Sequence, residues 1–204
     1  LLISAIAIVP DMNRVATSDL KNAGNLLYLL GETRTELGGS LLHQRLGVTG
    51  GVAPAMPHAP RTRYRVLHQA MLAGLVQSAH DLSEGGLAVA LAEMCLAGRV
   101  GAHIDLEQIM LASSLADATV ADRAETDAST SATLFALFAE SNGRILLEVT
   151  PEDATAFEAH FDGVALTRLG EVTTDERLLI HYGDASQIDL PVTQLVQAWK
   201  GKAR

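Results

Sequence analysis

An α+β fold with a mixed sheet is predicted from three observations. Residues 101–106 alternate, putting Ala102, Ile104 and Leu106 on one side of a strand. Residues 144–149 and 165–173 are further strand-like runs. Two stretches before them repeat their apolar residues at helical spacing, Leu67, Met71 and Leu75 in one and Leu87, Leu91 and Met94 in the other. A helix pair followed by strands and a hairpin reads as helices packed on a mixed sheet.

The elements follow in order. Residues 1–9 read as a buried strand stopped by Pro10, without the basic start of a leader peptide, like a strand cut from a longer chain. Residues 14–20 are a polar connection. Residues 26–30 form a short apolar run that turns out through Gly31-Glu32-Thr33. Gly38-Gly39-Ser40 has the character of a turn feeding a helix or strand. Residues 47–63 carry Gly50, Gly51, Pro54, Pro57 and Pro60 and read as a loop. Residues 64–79 are expected to be a helix, joined by a polar turn at His80 to Gly86 to a second helix that Ser83 caps and Gly98 ends. Residues 111–133, rich in Ala, Ser, Thr and Asp, read as variable surface structure, and 134–138 as a short helix or strand. Pro151 starts a helix through about residue 161, with Thr150 as its N-cap. Residues 178–182 are expected to pair with 165–173 as a hairpin. Residues 191–199 close the chain as an amphipathic helix with Leu195 and Trp199 on one face, ahead of a basic tail.

The 204 residues, 48% hydrophobic and 19% charged, suffice for one large domain or a domain plus part of another. Aromatics make up 4%, so Leu, Val, Ile and Ala must build the core. A net charge of −9 argues against a nucleic-acid or anionic-membrane surface. No apolar run approaches the roughly 18 residues of a membrane span. The single cysteine, Cys95, rules out an intrachain disulfide and fits a reducing cytoplasm. It sits on the apolar helix with no base near it in sequence, as a buried structural thiol does.

Three glycine-containing turns are candidates for chemistry. In the His80 to Gly86 turn, glycines just inside a helix cost about 1 kcal/mol each relative to alanine. The backbone there must approach something, either a phosphate at the helix N-terminus or another packed backbone. The alternative role for Asp81 and Ser83 is to bond the turn and the first helix amides. Gly38-Gly39-Ser40 is either a second anion loop or a plain turn. Glu140-Ser141-Asn142-Gly143-Arg144 gathers the groups that hold a phosphate or ribose edge, against the alternative of a polar turn with Arg144 paired to a surface acid. Glu32, Arg34 and Glu36 read as a solvated loop. His43, His58, His68, His103, His160 and His181 lack zinc-ligand spacing, and no Walker loop, nucleophile elbow or Rossmann fingerprint occurs.

The strings Leu26-Leu27-Tyr28-Leu29-Leu30-Gly31-Glu32-Thr33 and Glu36-Leu37-Gly38-Gly39-Ser40 resemble a signature of the phosphoribosylformylglycinamidine synthase family. So do Ala79-His80-Asp81-Leu82-Ser83-Glu84-Gly85-Gly86-Leu87 and its continuation to Met94. Phe138-Ala139-Glu140-Ser141-Asn142-Gly143-Arg144 and Leu169-Gly170-Glu171-Val172 follow in the family's order. The resemblance spans about residues 3–199, and its Ser-Glu-Gly-Gly form is similar to the small bacterial synthetase subunit.

This resemblance implies a fold like the C-terminal domain of aminoimidazole ribonucleotide synthetase. Residues 1–21 would be the last segment of a second ATP-binding-type domain, and residues 22–204 its partner domain, with 112–133 a variable segment. It implies a parent enzyme that is a cytoplasmic ATP-dependent C–N ligase. That parent converts formylglycinamide ribonucleotide, ATP and glutamine-derived ammonia to the amidine in purine biosynthesis, with ATP and magnesium as cofactors. The upstream half of the polypeptide, a glutaminase subunit and a small bridging subunit are the implied partners.

The family's catalytic histidine, magnesium carboxylates and most ATP contacts lie upstream, so no catalytic or metal residue carries over and the isolated chain is expected to be inactive. Ser83, Gly85, Gly86, Glu140, Ser141 and Arg144 are the residues expected at an auxiliary nucleotide or phosphate site. Asn142 stands where the family's first half has Gln. The rival expectations are a non-catalytic assembly module, or another synthetase or kinase of the same superfamily. Those enzymes should lack the paired Leu-Gly-Glu-Thr and Leu-Gly-Gly-Ser strings.

Overall fold

The computed structural model describes residues 4–9, 11–113 and 128–201. Its centre is strand β1 (Leu26–Leu30), five apolar residues all buried. A strand so uniformly apolar needs helices on both faces, and both are supplied. Helix α1 (Leu41–Leu46) follows, N-capped by Ser40, whose hydroxyl accepts the His43 amide at 3.2 Å. Helix α2 (Pro60–Leu72) leads to strand β2 (Ser78–Asp81), helix α3 (Gly86–Gly98) and strand β3 (Gly101–Asp105). Helices α4 (Glu107–Ala112) and α5 (Ala128–Phe138), strand β4 (Ile145–Val149) and helix α6 (Ala154–His160) come next. Strands β5 (Leu166–Thr173), β6 (Arg177–Tyr182) and β7 (Ala185–Pro191) and helix α7 (Val192–Trp199) complete the chain.

Among the described residues, seven strands run in the order β2-β4-β1-β5-β3-β6-β7. All neighbours are antiparallel except β3 and β6, so the sheet is mixed. One face carries the larger core, where Leu27, Leu29, Ile104, Leu169 and Ile180 meet Leu87, Leu91 and Met94 of α3. The other face is covered at the β4–β1 end, where Tyr28 and Leu147 pack with Leu67 of α2 and Phe157 of α6. Each fully buried Leu contributes about 1.5–3 kcal/mol, so α3, with Leu87, Leu91, Met94 and Cys95 all at 0% exposure, anchors the larger core. Cys95 lies in that core, and burial followed by the charge of Asp175 pushes its thiol up to about 12.

The local elements differ from the sequence reading in ways that share one cause, long-range pairing. The expected helix over 64–79 begins earlier, at Pro60, and ends at Leu72, because Ser78 to Asp81 is drawn into the sheet beside β4. The turn after His80 therefore joins a strand to a helix. Its N-cap is Gly85 in the left-handed region, with Ser83 contributing its carbonyl to the Gly86 amide at 3.2 Å. At the other end Arg99, at φ 59°, takes the C-cap position expected of Gly98. Strand β6 does not form a hairpin with β5. Strand β3 lies between them, and the hairpin partner of β6 is β7.

Of the expected buried strand over residues 1–9, residues 4–9 are exposed and not in a strand, with Ile6 at 100%, and residues 1–3 lie outside the described residues. The helix expected from Pro151 starts at Ala154, and Thr150 instead bonds the Asp153 amide at 3.2 Å. Residues 134–138 are helical as the end of α5. Trp199 is exposed and does not join the buried face of α7. Of the variable segment, residues 114–127 lie outside the described residues.

Candidate functional site

The turns singled out in the sequence meet at one corner of the fold. The Glu140 carboxylate, just past the end of α5, accepts the Gly85 amide at 2.8 Å through Oε1. The same oxygen accepts the Leu41 amide, also at 2.8 Å. The Glu140 amide in turn donates to the Glu36 carbonyl at 3.4 Å. One side chain thus closes the free N–H groups at the starts of two helices, where negative charge is favoured.

Gly86 is constrained by space as well as conformation. Its φ is +63°, and a Cβ there would stand 2.5 Å from the Ala139 carbonyl oxygen and 2.9 Å from that of Leu137. Of the two sequence alternatives for this glycine, close approach of backbone to backbone is the one realised.

Ser141 is fully buried, and its hydroxyl accepts the Arg34 amide at 3.0 Å. Arg144 is 1% exposed and does not pair with a surface acid. It donates through Nε to the Ser141 carbonyl at 3.2 Å, through Nη1 to Thr33 Oγ1 at 3.0 Å, and through Nη2 to the Ala139 carbonyl. Burial pushes its guanidinium down to about 10, an effect that the nearby Glu36 charge opposes. Arg144 therefore rivets the end of α5 to the turn after β1. Ser83, by contrast, is exposed at the surface of the corner.

Of the residues read as a solvated loop, Glu32 is exposed and Arg34 half-buried, but Glu36 is not solvated. Thr33 is 1% exposed and Glu36 4%, and Glu36 Oε1 lies 3.1 Å from Arg34 Nε. Arg63, 5% exposed, donates to the Gly143 carbonyl at 2.9 Å. The apolar and charge spacing of these residues carries no signal for burial; only their membership in the family-like strings marked Thr33 and Glu36. His80 Nε2 lies 2.8 Å from Glu93 Oε2, so it braces β2 against α3.

Beside this corner opens a cavity of about 390 Å³, lined by Tyr64, Asp81, Ser83, Glu84, Asn142 and Arg144 among others. The Asn142 amide donates to the Ala55 carbonyl at 3.2 Å. Among the described residues, no three His, Cys, Asp or Glu side chains come together as a metal site needs. The acidic side chains here do not fit a magnesium ion: Glu140 is engaged by two amides, and Asp81, exposed at the surface, has His80 Nδ1 3.5 Å away. No helix among the described residues is long and apolar enough to cross a membrane.

Comparison with known proteins places the fold. A family described as AIR synthase related protein, C-terminal domain, matches residues 22–183. T. maritima PurL complexed with FGAR superposes with a TM-score of 0.66 at 18% identity, over 90% of this chain and 30% of that one. Phosphoribosylformylglycinamidine synthase II from Thermotoga maritima gives 0.63 at 19% identity, over 90% of this chain and 28% of that one. E. coli HypE, a hydrogenase maturation protein, gives 0.58 at 16% identity, over 87% of this chain and 52% of that one. Identities this low establish a shared fold. This chain spans less than a third of the PurL chains it matches.

Proposed function

The chain belongs to the family of AIR synthase-related C-terminal domains, and we propose that it is the C-terminal partner domain of a phosphoribosylformylglycinamidine synthase. The observation that carries this reading is the convergence at Glu140. The Glu-Leu-Gly-Gly-Ser, Ser-Glu-Gly-Gly and Glu-Ser-Asn-Gly-Arg strings, which resemble that family, are distant in sequence and build one corner through Glu140, Leu41 and Gly85. The parent is then an ATP-dependent ligase of the cytoplasm, acting on formylglycinamide ribonucleotide with ammonia. Its magnesium and catalytic groups belong to the upstream half, and residues 1–21 to the end of that half. Glutaminase and bridging subunits complete its assembly.

Within this reading, Ser83, Gly85, Gly86, Glu140, Ser141 and Arg144 frame an auxiliary phosphate or nucleotide site. Ser83, Glu140 and Arg144 line the cavity, and Gly85, Gly86 and Ser141 stand behind that lining. The native polypeptide that contains this chain should release ADP from ATP only with formylglycinamide ribonucleotide and ammonia present. ATP turnover without those two substrates sinks the assignment.

A second reading, a non-catalytic assembly module, is favoured by the engagement of the Gly85 and Leu41 amides with Glu140 instead of an external anion. Titrating the chain with magnesium-ATP separates the two. A rise in melting temperature with nucleotide supports the auxiliary site, and no rise supports the assembly role.

A further inference from the structure

Residues 50–57, which the sequence marks by its glycines and prolines, reach the cavity at Pro54, which forms part of its lining. None of the residues 44–59 is buried, and Val52 and Met56 are 61% and 83% exposed. No apolar anchor therefore holds this segment to the core.

What holds it is polar and centres on one peptide unit. The Ala55 amide donates to Glu36 Oε1 at 3.0 Å. The Ala55 carbonyl accepts from Arg34 Nη2 at 2.9 Å and from Asn142 at 3.2 Å. Arg34 Nη1 also donates to the Met56 carbonyl at 3.4 Å, and the Gly38 amide donates to the Val52 carbonyl at 2.8 Å. These bonds are exposed or half-buried, whereas β1 and α3 are held by fully buried apolar side chains.

Two features equip the segment to move. Gly50 and Gly51, at φ +95° and +83°, supply adjacent hinge positions open to glycine. At Gly38 a Cβ would stand 2.6 Å from the Gly51 carbonyl oxygen and 2.7 Å from the Val52 carbonyl carbon. Gly38 has no positive φ, so conformation does not demand glycine there; only the closed segment does.

We propose that residues 50–57 form a detachable strap at the cavity, hinged at Gly50-Gly51 and latched on the Ala55 peptide by Glu36, Arg34 and Asn142, with Gly38 as the bare surface on which it closes. Opening the strap frees the side chain of Asn142, which lines the cavity, and uncovers the Arg34–Glu36 pair. Of the Glu36 oxygens, Oε2 is buried without a hydrogen-bond partner even when the strap is closed. The device is a property of the fold, whichever ligand the parent takes.

Amide hydrogen exchange on the chain tests it. The Gly38 and Ala55 amides should exchange together, ahead of those in β1 and α3. Gly38→Ala should speed their exchange by about tenfold and leave β1 and α3 unchanged. Exchange of the two amides as late as β1, or a Gly38→Ala protein with unaltered strap exchange, overturns the proposal. So does uniform acceleration of every element. Should Gly38→Ala not fold, Asn142→Ala, which removes only the bond to the Ala55 carbonyl, gives the same reading: selective acceleration of the Ala55 amide supports the strap, and none overturns it.

Discussion

Glu140 Oε1 accepts the Gly85 amide at 2.8 Å across 55 residues of sequence, and the turn before α3 is held by that bond. The same oxygen holds the start of α1, so two helix starts depend on one carboxylate. Glu140→Ala leaves both amides without this acceptor and should cost about 1–3 kcal/mol. Glu140→Gln keeps a carbonyl oxygen and should cost less. Urea midpoints of the three proteins check the order, and a silent Glu140→Ala would show that the junction carries no stability.

Gly86→Ala should destabilise the chain by about 2–4 kcal/mol, from left-handed backbone and from overlap with the Ala139 and Leu137 carbonyls. In the parent, any turnover lost should follow the folded fraction. A Gly86→Val parent that melts normally but does not turn over would point to a direct catalytic role instead.

The thiol of Cys95 predicts an alkaline weakness. Its value rises from 9.0 in the unfolded chain to about 12 when folded. The folded state thus holds a proton that the unfolded state releases between those values. Its contribution is complete below pH 9 and is lost as pH rises toward 12, at up to about 1.4 kcal/mol per pH unit. Stability measured against pH should fall less steeply in Cys95→Ala. The native thiol should also resist a thiol reagent until the chain unfolds.

Glu148 ties the chain ahead of β1 to the sheet. It is 0% exposed and accepts the Lys21 amide at 3.0 Å, the Asn22 amide at 3.2 Å, Asn25 Nδ2 at 2.7 Å and Ser78 Oγ at 2.8 Å. Glu148→Ala strands these donors and should cost about 3 kcal/mol or more. Glu148→Gln turns an amide N–H toward donors and should not restore the loss. Trypsin cleavage after Lys21 should accelerate in both, and unchanged cleavage would show that this clasp does not hold the segment.

Much of the fold is legible in the sequence because its cause is local. Alternation at Ala102, Ile104 and Leu106 marks β3, and the stripe of Leu87, Leu91 and Met94 marks the buried face of α3. Both patterns depend on neighbours a few residues away. The hairpin assigned to 165–182 fails because inserting β3 between β5 and β6 is decided by a strand about 70 residues earlier. Nothing in the apolar spacing of Thr33, Glu36 or Arg144 announces burial either. Their burial is offset in part by distant partners, Thr33 for Arg144 at 111 residues and the Ala55 amide for Glu36 at 19, which repay removing polar groups from water.

By itself the sequence determined the α+β class, most helix and strand positions, the buried thiol and the three strings that resemble one enzyme family. Tertiary structure alone decided that those strings form one corner, that Glu140 occupies the amides at two helix starts, and that Gly86 is glycine for want of space. Periodicity reports which face of a segment is apolar. A hydrogen bond between Glu140 and Leu41 joins residues 99 apart, and only the folded chain brings such partners within 3 Å.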